Sequence, residues 1–252
     1  MAGDFLFSTL STQDIGLIVR QKVADTDTAN TVLVASKGSE GDAVQGFIRA
    51  DDNNEYNFTP ERLALAHSAY QAFYDGEAKI AEYFYDKKAK AFVLNVLTTK
   101  QFNLFADIAC DELTIKAVGP LCIDAKITVK KNLTIEAKCF SVSDAVFCEG
   151  DAVLNAEQGM VVFAEVHAKT LDIHAAYFCQ EAPITVEGQY DISAQAYQQK
   201  ASAKTVSNNL RLVADQCDIS GDLDVKENVF LTANNLFVAA DIEFLGQHHV
   251  HV

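Results

Sequence analysis

Leu113-Thr114-Ile115-Lys116-Ala117 opens a phrase that returns along the chain as Leu133-Thr134-Ile135-Glu136-Ala137, Ala152-Val153-Leu154-Asn155-Ala156, Leu171-Asp172-Ile173-His174-Ala175 and Tyr190-Asp191-Ile192-Ser193-Ala194. Leu210-Arg211-Leu212-Val213-Ala214 and Val229-Phe230-Leu231-Thr232-Ala233 complete the series. Successive starts lie 20, 19, 19, 19, 20 and 19 residues apart. The first, third and fifth places are apolar in every copy, and the fifth is always Ala. Of the alternate places only Val153, Val213 and Phe230 are apolar. A period of two with one apolar face is the signature of a half-buried strand. Equivalent strands separated by 19 or 20 residues cannot form a hairpin, so they must stack in parallel as the coils of a solenoid.

The remainder of each repeat agrees. Seven residues after each start the column reads Pro120, Phe140, Gly159, Phe178, Tyr197, Cys217 and Leu236, and two further on Cys122, Val142, Val161, Gln180, Gln199, Ile219 and Val238. Pairs such as Ile184 with Val186, Leu223 with Val225 and Ile242 with Phe244 supply a third apolar set, so each repeat holds about three short strands. The predicted fold is mainly β, a right-handed parallel β-helix of about seven to eight coils spanning 91–246. Seven coils at strand spacing give a rod of roughly 35 Å. Leu94, which lies 19 residues before Leu113, marks the extra coil. Asn132, Asn209 and Asn228 precede three of the starts, where Asn adopts left-handed backbone or hydrogen-bonds its own turn.

Residues 1–90 lack the repeat and read as a small α+β cap. A helix is predicted from Thr59 as N-cap, with Pro60 in its first turn, through Leu63, Ala66, Tyr70 and Phe73 to Gly76. Ile80 to Tyr85 and Ala91 to Val96 read as a hairpin across Asp86-Lys87-Lys88-Ala89-Lys90. Thr31 to Ala35 and Val44 to Ile48 read as strands joined by a loop over 37–42. Residues 247–252 read as a tail.

Composition bounds the function. The 252 residues carry a net charge of −15, with 20 Lys+Arg, only four of them Arg, against 35 Asp+Glu. That balance argues against nucleic acid and anionic membrane as partners. No apolar run reaches the length of a membrane helix, and the first residues have no signal-peptide pattern, so the expected location is the cytoplasm or export without a cleaved leader. With 12 Gly and 3 Pro the chain has too few turn-formers for a protein of tight hairpins. Six cysteines, at 110, 122, 139, 148, 179 and 217, show no CxxC or zinc spacing and read as reduced core residues. No cofactor motif occurs: GxGxxG, GxxxxGK[ST] and GxSxG are all missing. No cofactor or metal is therefore expected. His249 and His251 share a face if strand-like, but nothing is spaced to complete a metal site with them.

The repeat resembles that of filamentous haemagglutinin-like adhesins, whose haemagglutinin-repeat β-helix also advances by about 19 residues. Asn132-Leu133-Thr134-Ile135-Glu136-Ala137 and Asn209-Leu210-Arg211-Leu212-Val213-Ala214 carry the resemblance. It implies a β-helix used for adhesion or surface display. The chain departs from that family in its cysteines, its few glycines and its lack of a signal peptide. In architecture it also resembles bactofilin-like scaffolds, which implies end-to-end polymerisation in the cytoplasm.

Two function classes follow. The first is a non-enzymatic scaffold or protein-binding rod. After Ile242 and Phe244 no amphipathic helix covers the last coil, so a protein partner, self-association through the open C-terminal coil, or continuation into a longer protein is expected there. The alternative is a β-helical carbohydrate-active enzyme, a polysaccharide lyase or hydrolase. Its catalytic candidates are Asp172, Asp191, His174 and Arg211, which the repeat places outward on neighbouring coils of one face. Stacked carboxylates can share acid and base roles while Arg211 holds an anionic sugar.

Overall fold

The computed structural model describes residues 32–33, 36–38, 46–50, 56–60, 69–75, 77–105, 107–240, 242–244 and 246–252. All of the regular structure among them is β. The amino-terminal strands are β1 (Val32–Leu33), β2 (Ser36–Gly38), β3 (Gly46–Ala50), β4 (Tyr56–Pro60), β5 (Ala69–Asp75), β6 (Ala78–Asp86), β7 (Ala91–Val96) and β8 (Phe102–Leu104). Then come the long strands β9 (Ile108–Ile123), β10 (Ile127–Val142), β11 (Val146–Val162), β12 (Val166–Gln180), β13 (Ile184–Gln199), β14 (Lys204–Ile219) and β15 (Asp222–Val238). Two short ones follow, β16 (Ile242–Phe244) and β17 (Gln247–His251).

Each long strand is one full coil, and coil pairs with coil in parallel from β9 to β15. The result is a parallel β-helix of about eight turns. Breaks in the ladder divide a coil into three faces, which in β10 are 127–129, 132–137 and 139–142. The repeated phrase forms the second face: Leu133 sits between Leu113 and Ala152, and Ile135 between Ile115 and Leu154. Its first and third residues point inward and are at most 4% exposed throughout β9–β15. A slip of one residue would turn that whole column to water, so the alternation pins the register. β7 continues the stack backwards, with Leu94 opposite Ile115, so the extra coil inferred from the 19-residue spacing is present.

The structure corrects the third-face columns. Leu121, not Pro120, aligns with Phe140, and Met160, not Gly159, follows it. Likewise Ile123 and Val162, not Cys122 and Val161, align with Val142. β9 and β11 each carry one extra residue at the bend after the conserved-phrase alanine, visible as a register shift between Ala156 and Gly159. Gly119 marks one such bend, where a Cβ would lie 2.8 Å from Thr98 O. With the shift applied, the column of Leu121, Phe140, Met160, Phe178, Tyr197 and Cys217 is buried throughout.

The asparagines at the corner before the second face do not take left-handed backbone, since the one described non-glycine residue with positive φ is Lys90, at 51°. Asn228 and Asn209 instead bond side chain to side chain up the rod, Asn228 Nδ2 donating to Asn209 Oδ1 at 2.8 Å and Asn209 Nδ2 to Glu227 Oε2 at 3.0 Å. Between coils β11 and β12 the same corner is tied by Thr170 Oγ1 donating to Asp151 Oδ1 at 2.7 Å.

The hairpin read from 80–96 is formed by β6 and β7, with Tyr83 opposite Leu94. Asp86 Oδ1 accepts from the backbone N–H of Lys88 and Ala89 and closes its turn. The helix expected from Thr59 to Phe73 is not formed at either end. Thr59 and Pro60 lie in β4, Tyr70 and Phe73 in β5, and 61–68 fall outside the described residues. The physical cause is the edge of β6, whose unpaired backbone takes β5 as an antiparallel neighbour, with Phe73 opposite Ala81. Tyr70 Oη adds a bond to Glu82 Oε2 at 3.0 Å. Tertiary pairing thus overrides a local capping signal. The loop expected over 37–42 overlaps β2 at Lys37 and Gly38, and the second early strand sits at Gly46–Ala50; 39–45 lie outside the described residues. β6, β5 and β2 extend the second face, while β8, β4, β3 and β1 extend the third. Phe73, Tyr83 and Phe92 pack inside, ring centroids 6.2 and 5.4 Å apart in sequence.

Residues 247–252, expected as a tail, instead carry β17, which adds a rung on β15: His248 lies opposite Val229 and Val250 opposite Leu231.

Candidate functional site

The second face turns its alternate residues outward. Asp172, Asp191 and Arg211 are consecutive in one outward column, and His174 lies opposite Ser193 in the next. Period two puts Asp172 and His174 on the same side of β12, and His174 Nε2 lies 3.1 Å from Asp172 Oδ1. This is the one direct contact among the four candidates. Asp191 Oδ1 instead accepts from Gln189 Nε2 at 3.0 Å, and among the described residues Arg211 forms no ion pair with either aspartate. The side chains of His174 and Asp172 are 55% and 45% exposed, so their pairing is screened by water and contributes little to stability.

Beside this pair runs a groove of about 480 Å³, open to solvent, lined by Asn155, Glu157, His174, Ser193 and Gln195 and by the alanines between them. Sequence reasoning named His174 but missed Asn155, Glu157 and Gln195. The signal that could have found Asn155 is its place in the outward column of His174, which it faces from β11. What the arrangement offers chemically is a polar trough with one His–Asp pair; its polar groups are spread over three coils and do not converge on a point.

None of the six cysteines forms a disulfide, and all are buried. Burial pushes Cys110 and Cys179 up to about 11 and Cys217 up to about 12, so these three are not thiolates at neutral pH. Cys139 and Cys179 pack with Val161 and Tyr177 on the outward side of the third face, which is apolar here where the second face is polar. At β17, His249 stacks on Phe230 with centroids 5.1 Å apart. Among the described residues no three His, Cys, Asp or Glu side chains are grouped to hold a metal ion, and no helix is long and apolar enough to cross a membrane.

No protein-family model, curated protein or solved structure matches the chain. The haemagglutinin-repeat and bactofilin resemblances therefore rest on the repeat alone, and what stands is the parallel β-solenoid they share.

Proposed function

We propose that the chain is a non-enzymatic scaffold, a rigid protein-binding rod that associates with a second copy of itself through the rung made by β16 and β17. The observation that carries this reading is the character of that rung. Both strands pair with β15 on one side, and among the described residues no strand pairs with the other. Phe230, Phe237, Val238 and Val250 at this end are 48%, 49%, 40% and 51% exposed. Unpaired backbone beside exposed apolar side chains is a template for strand pairing. In a chain of net charge −15, β17 contains no Asp or Glu, so two copies pair along that strand without the acidic repulsion they would feel elsewhere. A two-fold contact uses the same patch on both copies and closes.

Sedimentation velocity across a concentration series tests this, on the intact chain and on a Phe237→Glu/Val250→Glu variant. A reversible dimer that the variant loses is expected; a strict monomer at high concentration removes the proposal.

The Asp172–His174 contact beside the groove favours one second reading, a glycan-active enzyme. Asp172→Ala together with Asp191→Ala abolishes glycan turnover if that reading holds and changes nothing if the rod is a scaffold.

A further inference from the structure

From β7 to β15 the inward columns of the rod are apolar except where β12, β13 and β14 meet. There Gln180, Gln199, Thr205 and Ser207 point inward at 0–1% exposure, beside Tyr190 and Tyr197 at 0% and 1%. Much of this set is self-satisfied. Gln180 Nε2 donates to Ala182 O at 3.1 Å and Lys204 O at 3.3 Å, and its Oε1 accepts from Tyr197 Oη at 3.0 Å and Thr205 Oγ1 at 3.1 Å. Gln199 Nε2 donates to Thr205 Oγ1 at 3.1 Å and Asp222 O at 3.2 Å. The network stops on three buried oxygens with no protein partner: Gln199 Oε1, Tyr190 Oη and Ser207 Oγ.

These three lie on inward positions of two adjacent coils, β13 and β14. Gln199 and Tyr190 belong to the same coil, and the Gln199 amide bonds Thr205, two residues before Ser207 on the same inward side of β14. The side chains of β14 beside them are small. Thr205 stands between Ile184 and Leu223, Ser207 between Val186 and Val225, and Cys217 between Tyr197 and Leu236, so in each column β14 has the smaller side chain.

The geometry points to a binding site for an ordered internal water, bridging Tyr190 Oη, Gln199 Oε1 and Ser207 Oγ inside the rod. The chemistry matches one molecule: Gln199 Oε1 can only accept, Tyr190 and Ser207 each need an acceptor for an O–H, and water has two donors and two acceptor lone pairs. Polar lining and spare volume together are what separate a hydrated cavity from a dry one.

A crystal structure of the whole chain at about 1.5 Å or better tests the site, with water oxygen-17 relaxation dispersion as a second readout in solution. Density within hydrogen-bond distance of all three oxygens is expected, and one long-lived water that is lost in Ser207→Val, which places there the residue found on both flanking coils. A dry site, or a count of long-lived waters unchanged by Ser207→Val, overturns the inference.

Discussion

Replacing Gln180 with leucine removes a side chain that makes four hydrogen bonds at 0% exposure, in a column where the preceding coils carry Val142 and Val162. Leucine fits the pattern of the rod, so an interior held only by apolar burial should accept it. The bonds say otherwise. The hydroxyls of Tyr197 and Thr205 lose their acceptor, and the carbonyls of Ala182 and Lys204 lose a donor. A stranded buried polar group costs about 1–3 kcal/mol, and burying leucine returns roughly 2 kcal/mol. Taking the hydroxyls near the middle of that range and the carbonyls at its foot, the net loss is about 4 kcal/mol. Equilibrium urea unfolding followed by far-ultraviolet circular dichroism measures it, with equal m values required for the comparison. Adding Tyr197→Phe and Thr205→Val to Gln180→Leu should recover part of the loss, because the stranded hydroxyls go with their side chains. A Gln180→Leu protein within 1 kcal/mol of the parent would refute the reasoning and show that the polar network contributes nothing net.

Other outcomes follow from the corners and the thiols. A Cβ at Gly150 would lie 1.8 Å from Lys131 O, whereas one at Gly188 would lie 3.1 Å from Lys169 O; Gly150→Ala should therefore cost about 1–3 kcal/mol in urea unfolding and Gly188→Ala clearly less. Stability should also fall in alkali. Cys110 and Cys179 hold their protons to about 11, and Cys217 and Tyr83 to about 12, while in the unfolded chain thiols ionise near ~8.5 and tyrosine near ~10. Above ~9 the unfolded state thus binds fewer protons than the native one, and each of the three thiols removes about 1.4 kcal/mol per pH unit up to its folded value. Urea midpoints measured between pH 7 and 10.5 should drop steeply above 9; a flat series would contradict the burial of the thiols.

The second face was legible in the sequence because one phrase meets three conditions at once: alternation, a constant alanine and a near-constant spacing. The third face was legible only in outline, since the one-residue insertions after Ala117 and Ala156 are invisible to a fixed offset from the start of the repeat. The rung at β17 could have been found, because His248 lies 19 residues after Val229 and so keeps the spacing. It was obscured by a histidine in a column that is otherwise apolar or aromatic. At Thr59 the local signals for a helix were sound, and what defeated them was the free edge of β6, a partner set by the fold and not by neighbours in the chain. Of the candidate site, the sequence placed Asp172, Asp191, His174 and Arg211 on one face correctly. Which of them touch depends on rotamers, and Asp191 turns to Gln189. Gln180 and Gln199 stand in an inward column of the repeat, but their bonds to Thr205 and Tyr197 cross the corner between coils, where no spacing rule reaches.

The stacking of coils in register is tested most directly by distance. Spin labels introduced through an unnatural amino acid, leaving the six native thiols untouched, can be placed at outward second-face positions in pairs: Thr134 with Asp191, Thr134 with Arg211, and Thr134 with Phe230. These pairs lie three, four and five coils apart. At about 4.8 Å per coil, pulsed dipolar spectroscopy should give backbone separations near ~14, ~19 and ~24 Å, rising by one constant step. Distances that do not rise in equal steps, or that fail to rise at all, would contradict the parallel β-helix.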